Sequence, residues 1–117
     1  MRPDHETLAR HQTIHITTIG RRSGRPRRVE IWWFRVDGRF VITGTAGRRD
    51  WLANLVADPR LIVHIAGHDI EATATRIADV SFRRKVFTRP QTSWYTSRAE
   101  LDHLVATAPM VEIHFSD

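Results

Sequence analysis

The sequence predicts a single, mainly β domain of the α+β class, built as a six-stranded antiparallel barrel with short flanking helices. Three observations carry that expectation. Six short segments are rich in β-branched or aromatic residues, several with period-two alternation. Compact turn signals, Asp37-Gly38 and Gly67-His68, join neighbouring segments and favour antiparallel hairpins. One helical pattern interrupts the series after the third segment, and others precede the last.

Taken in order, residues 1–12 ("MRPDHETLARHQ") hold no apolar run and are expected to be a mobile N-terminus. "TIHITTI", 13–19, alternates and reads as the first strand. The turn "GRRSGRP" follows, punctuated by Gly20, Gly24 and Pro26. Residues 27–36 ("RRVEIWWFRV") make a second strand whose middle is apolar on both faces. One face should meet a barrel interior and the other a helix or a second subunit, so a homodimer is an expectation. Residues 39–45 form the third strand. Asp50 is the expected N-cap of a helix "WLANLVA", with Trp51–Leu55 and Leu52–Val56 on its buried side. Residues 60–66 and 69–78 are the next two strands. A helix over 79–88 pairs Phe82 with Val86, and another starts at Ser97, where Ser97 and Glu100 have capping-box spacing. Leu101, Leu104 and Val105 then point inward, and "PMVEIHF" is the sixth strand.

Composition bounds the function. A chain of 117 residues with 41% hydrophobic residues and four tryptophans buries one core. There is no cysteine, which rules out disulfides and thiolate metal sites. The N-terminus lacks the apolar stretch of a signal peptide and no segment is long enough to span a bilayer, so a cytoplasmic protein is expected. Charge is concentrated: Arg21, Arg22, Arg25, Arg27 and Arg28 give a local +5, equal to the net charge of the whole chain. One loop therefore holds the entire excess. That pattern suits a compact anion better than an extended polyanion.

A Greek-key barrel of this size is either an oligonucleotide-binding fold or a flavin-binding split barrel, and periodicity does not choose between them. The loops do. "TTIGRRSGRPRR", the Asp37-Gly38 hairpin and "W-x-x-N-L-x-x-x-P" from Trp51 to Pro59, in that order and spacing, resemble the deazaflavin-dependent nitroreductase family. That family binds coenzyme F420 on a split β-barrel related to pyridoxamine-phosphate oxidase. The resemblance implies that the first loop and the loop before the helix bind the coenzyme's phosphate and acidic tail. It also implies that the backbone of the second strand, around Val29 and Ile31, lies against the deazaflavin ring.

The residues agree with that implication. Arg21, Arg22 and Ser23 sit on a glycine-flanked turn, where guanidinium forks and amides can converge on phosphate oxygens. Arg27 and Arg28 start the strand on opposite faces, so one of them is expected in the groove; Arg28 is the choice, since it leads into Glu30 and Trp32. Thr43, Gly44 and Thr45 begin a second small-residue loop that ends at a helix N-terminus, with Arg48 and Arg49 adding charge. Trp51 is expected to pack under the coenzyme loop and Asn54 to orient it by hydrogen bonding.

The resemblance further implies hydride transfer from reduced F420 to a small electron-poor acceptor: a nitroaromatic, a quinone or an enone. FMN is the alternative cofactor. Ser93 or Tyr95 is expected to relay the proton that the product needs, and Trp94 with Tyr95 to line the acceptor pocket. Trp32 and Trp33 could wall the ring or simply fill core. The histidines show no metal-ligand spacing: His64 and His68 lie on a strand and its turn. A ligand carrier without turnover is a second reading, and a nucleic-acid-binding barrel that stacks bases on Trp32, Trp33 or Phe34 is a third. The short N-terminal segment and short second loop imply an open acceptor pocket.

Overall fold

The computed structural model describes residues 3–116. In chain order the elements are α1 (His5–Ala9), β1 (Thr13–Ile19), β2 (Pro26–Val36), β3 (Arg39–Thr43), α2 (Asp50–Ala57), β4 (Arg60–Ile65), β5 (His68–Arg76), α3 (Val80–Phe87), a 3₁₀ turn at Pro90–Thr92, α4 (Ser93–Thr96), α5 (Leu101–Thr107) and β6 (Met110–Phe115). The six strands close into an antiparallel barrel in the order β1-β2-β3-β6-β5-β4, with β4 returning to pair with β1.

The alternation read from sequence sorts residues between two cores. Ile14 and Ile16 of β1, Trp33 of β2, Ile42 of β3, Val63 of β4 and Val111 of β6 fill the barrel interior, joined by Trp51 and Leu55 of α2. The opposite faces of β2, β3 and β6 present Phe34, Val36, Val41 and Met110 to the helical layer, where Phe82, Val86, Leu104 and Val105 cover them. Both faces of β2 are thus covered within this chain at residues 33–36, so its two-sided apolar pattern requires no second subunit.

Local chemistry explains where elements begin and end. The β2–β3 connection is a two-residue turn with Asp37 at φ 52° and Gly38 at φ 77°, and the β4–β5 turn places Ala66 and Gly67 at φ 49° and 77°. This second turn lies one residue earlier than the expected Gly67-His68, and His68 pairs with Ile65 as the first residue of β5.

Several expectations are corrected. Residues 5–9 form a helix capped by Asp4, whose Oδ1 accepts from the Thr7 amide at 2.8 Å, and Leu8 is fully buried in the barrel core. Residues 3–12 are therefore no loose tail, and residues 1 and 2 lie outside the described residues. β3 stops at Thr43, whose hydroxyl donates to the Pro109 carbonyl at 2.6 Å. Asp50 lies in the first turn of α2, not at its cap, and Val56 is 57% exposed while Trp51 and Leu55 are buried. The Ser97–Glu100 capping box does not form. Ser97 closes α4 by donating to the Trp94 carbonyl at 2.7 Å, and Glu100 precedes α5.

Candidate active site

The barrel is open along part of one strand. β2 pairs with β1 from Pro26 to Trp32, but with β3 only from Trp33 to Val36. The Trp33 amide donates to the Gln12 carbonyl, on the β1 side. By alternation the amides and carbonyls of Arg28 and Glu30, and the amide of Trp32, point the other way, towards a position beyond the end of β3 at Thr43. Among the described residues no strand pairs with that edge of β2, so it lies open.

Two cavities flank this edge. The larger, about 660 Å³, collects the predicted residues Arg21, Arg22, Ser23, Arg27, Arg28, Val29, Arg48, Arg49, Trp51 and Asn54, together with Thr18, Gly20 and Asp50. The smaller, about 310 Å³, collects Ile31, Thr43, Gly44, Thr45, Arg49 and Tyr95 with Glu30, Trp32 and Trp94. Arg49 lines both. Ser93 lines neither and is exposed.

The 20–25 turn is rigidly built. Gly20 donates to the Arg25 carbonyl and Gly24 to the Gly20 carbonyl, both at 2.8 Å, and Ser23 Oγ accepts from the Arg25 amide at 3.1 Å. A Cβ on Gly20 would stand 2.7 Å from Ser23 Oγ and 3.2 Å from the Arg25 carbonyl oxygen, so a larger residue would push the Ser23 hydroxyl off the Arg25 amide. Ser23's oxygen thus serves the turn itself. Asn54 fastens the turn to α2: its Oδ1 accepts from the Arg21 amide and Nη1, and its Nδ2 donates to Thr18 Oγ1.

The arginines divide by partner. Arg21 is engaged by Asn54 and by Asp50, 3.3 Å from Nη2. Arg49 folds back on its own loop, donating to the carbonyls of Arg48 and Thr45 and to Thr45 Oγ1 at 2.9–3.0 Å. Arg22, Arg27 and Arg48 make no side-chain hydrogen bond or ion pair among the described residues, and all three line the larger cleft. The expectation that only one of Arg27 and Arg28 reaches the groove is corrected. Because the strand edge is open, residues from both faces of β2 border the same cleft. Arg27 does so without a partner, while Arg28 donates to His15 Nδ1 from Nε at 3.3 Å and Nη2 at 3.1 Å.

The smaller pocket is aromatic. Trp32 meets Trp94 edge to face at 5.5 Å between ring centroids, and Trp94 meets Tyr95 at 5.2 Å. Arg98 covers the outer face of Trp94 at 3.8 Å. Trp33, by contrast, is core: 2% exposed, stacked on Phe40 and donating to the His11 carbonyl. Burial pushes the Tyr95 phenol up to about 12, so it stays protonated at neutral pH. Thr18, Glu30 and Asp50 were not singled out as site residues in the sequence. Thr18 carried a signal, a polar residue on the inward face set by Ile14 and Ile16.

Partnerless guanidiniums fit a ligand with several anionic groups, and an open strand edge beside an aromatic pocket fits a planar hydrogen-bonding ring. No cluster of three or more potential metal ligands occurs among the described residues. No helix among them is long and apolar enough to cross a membrane. Six antiparallel strands closed in this way with short helices laid over them define the class of the split β-barrels.

Comparison with known proteins agrees. Residues 4–103 match the F420H(2)-dependent quinone reductase family, and the chain belongs to that oxidoreductase family. Among solved structures it is similar to an F420-H2 dependent reductase, with TM-score 0.64, 16% identity, and 89% of this chain and 95% of that one covered. A putative pyridoxamine 5'-phosphate oxidase from Listeria innocua has TM-score 0.71 at 11% identity, covering 96% of this chain and 90% of its own. A chain described as a domain-swapped dimer has TM-score 0.65 at 17% identity, covering 89% of this chain and 81% of its own. At these identities the likeness shows the shared fold.

Proposed function

We propose that this chain binds coenzyme F420 along the open edge of β2 and reduces a quinone-class acceptor held in the Trp32–Trp94–Tyr95 pocket. The observation that carries this reading is the meeting of three partnerless guanidiniums, Arg22, Arg27 and Arg48, in one cleft beside that edge. These side chains would hold the phosphate and acidic tail, while the Asn54–Arg21–Asp50 bonds keep the turn in place. The backbone of Arg28, Glu30 and Trp32 would hold the ring by hydrogen bonds. When bound, the reduced coenzyme supplies a hydride; the chain contributes orientation and a partly dry aromatic pocket. Nitroaromatics and enones are further acceptors of the same electronic kind.

Fluorescence titration of the purified protein with F420 and with FMN, followed by oxidation of reduced F420 in the presence of a benzoquinone or naphthoquinone, tests the reading. F420 should bind in the micromolar range or tighter, and quinone should accelerate its oxidation. FMN binding without F420 binding would overturn the cofactor, and F420 binding without turnover would leave a carrier. A homodimer remains part of the proposal, read by sedimentation.

A further inference from the structure

Hydride addition to a quinone leaves the quinol monoanion, and a proton must follow. Ser93 stands outside the pocket, and Tyr95 is too weak an acid to give its proton up readily. On the outer face of the barrel a different pair is in place. His15 of β1 lies opposite Glu30 of β2 in register, with His15 Nε2 3.4 Å from Glu30 Oε2. Arg28 approaches the other ring nitrogen, Nδ1, with Nε and Nη2 at 3.3 and 3.1 Å. Arginine only donates, so Nδ1 here carries a lone pair and the ring's proton sits on Nε2, facing Glu30.

The two side chains that hold this histidine line the two cavities. Arg28 lines the anion cleft, and Glu30 lines the acceptor pocket beside Trp32, Trp94 and Tyr95. The other ionisable group facing His15 is His64, across the β1–β4 ladder. Both of its ring nitrogens are occupied, Nδ1 by Asp69 at 2.7 Å and Nε2 by Thr17 at 2.6 Å. His15 therefore exchanges protons with Glu30 or with water.

We propose that His15 and Glu30 load the product's proton when the coenzyme binds. Anionic groups in the cleft draw Arg28 off Nδ1, since a guanidinium pairs more strongly with an anion than with a neutral imidazole. Nδ1 then accepts a proton from water, the repelling charge of Arg28 having moved away and that of Glu30 favouring imidazolium. During turnover the acceptor takes two electrons and one hydrogen as hydride from reduced F420. Glu30, protonated from Nε2 of the imidazolium, gives its proton to the quinol monoanion; His15 is left neutral with its proton on Nδ1, and exchange with water returns it to the Nε2 tautomer as Arg28 closes back on Nδ1. Glu30 is the catalytic acid and His15 the positioning and loading residue. This inference rests on the proposed F420-dependent reduction.

Isothermal calorimetry of F420 binding in two buffers of different ionisation enthalpy that carry no phosphate, HEPES and Tris, at one pH tests it. Wild type should take up more protons per coenzyme bound than His15→Phe, and its affinity should tighten as pH falls while that of His15→Phe changes less. At saturating F420, Glu30→Gln should lower quinone reduction by about 10²-fold and flatten its pH profile. Equal proton uptake by wild type and His15→Phe, or an unchanged pH profile in Glu30→Gln, would overturn the pair while leaving F420 binding intact. Absence of F420 binding to wild type would instead overturn the functional reading, and this inference with it.

Discussion

Asn54 holds Arg21 at two points, accepting from its amide at 3.1 Å and from its guanidinium at 2.9 Å through the same Oδ1. With Asn54 only 3% exposed and its amide donating to the buried Thr18, this contact ties the arginine turn to α2 and to the barrel interior.

Asn54→Ala should therefore act on stability and on the cleft together. It leaves Thr18 Oγ1 and the Arg21 amide without their partner, at a cost of about 1–3 kcal/mol. Urea denaturation should show that loss, and F420 affinity should fall with it. An unchanged unfolding midpoint would mean that the turn is held by its own hydrogen bonds.

The two neighbouring arginines should separate in effect. Arg22 has no protein partner, so Arg22→Ala should weaken F420 binding by about 10- to 100-fold, corresponding to about 1.5–3 kcal/mol for a charge-assisted contact, with the melting temperature unmoved. Arg21→Ala should lower both affinity and melting temperature, because its guanidinium bridges Asn54 and Asp50. Equal effects of the two substitutions on stability would contradict this division.

That division marks what could be read from sequence. The six strands and the Asp37-Gly38 turn were legible because β-branched alternation and glycine turns are local signals. The loops that face each other were legible from motif order. Which arginines belong to the fold was not, because Arg21 and Asn54 meet across 33 positions. The α1 helix was missed for a similar reason: its one buried apolar residue, Leu8, creates no periodicity, and only the barrel interior gives it a place. The two-faced apolar run of β2 read as meeting a helix or a second subunit, and the chain's own helices cover it at Phe34 and Val36; sequence alone does not say which of the two partners a face will find.

Arg83 is another arginine whose role depends on distant partners. It is 8% exposed and donates to the carbonyls of Val105, Ile77 and Ala108, joining α3 to the ends of α5 and β5; burial first, and then the nearby Arg76 charge, lowers its pKa. Arg83→Met would fill the space but leave three carbonyls unsatisfied, at a cost of about 3 kcal/mol or more. Arg83→Lys should recover part of that. Differential scanning calorimetry of the pair checks it, and a Met variant as stable as the parent would show that water can replace the guanidinium.

Tyr95 gives a pH prediction with a definite sign. Its phenol is raised to about 12 by burial, against about 10 in an unfolded chain. Above pH 10 the unfolded state loses the proton first, so stability should be intact below that pH and decline as pH rises towards 12. The loss should be about 2 kcal/mol by pH 11.5. Tyr95→Phe should remove this part of the decline. As Tyr95 is the chain's one tyrosine, ultraviolet titration of tyrosinate reads it directly, and a midpoint near 10 in the folded protein would refute the assignment.

Salt dependence separates a compact anion from a nucleic acid as the partner of the arginine cleft. A strand of DNA or RNA would contact several phosphates and release a counterion at each, so its affinity would fall steeply with salt. Three of the partnerless cations, Arg22, Arg27 and Arg48, line one cavity of about 660 Å³. The aromatic residues that could stack bases are equally confined. Trp33 is buried in the barrel, and Trp32 packs against Trp94 and Tyr95 within the smaller pocket. F420 affinity should therefore decline only moderately between 50 and 500 mM salt, over the few contacts one molecule can make, and F420 should displace a labelled oligonucleotide at low salt. Submicromolar oligonucleotide binding at physiological salt that F420 does not compete away would reassign the cleft to nucleic acid.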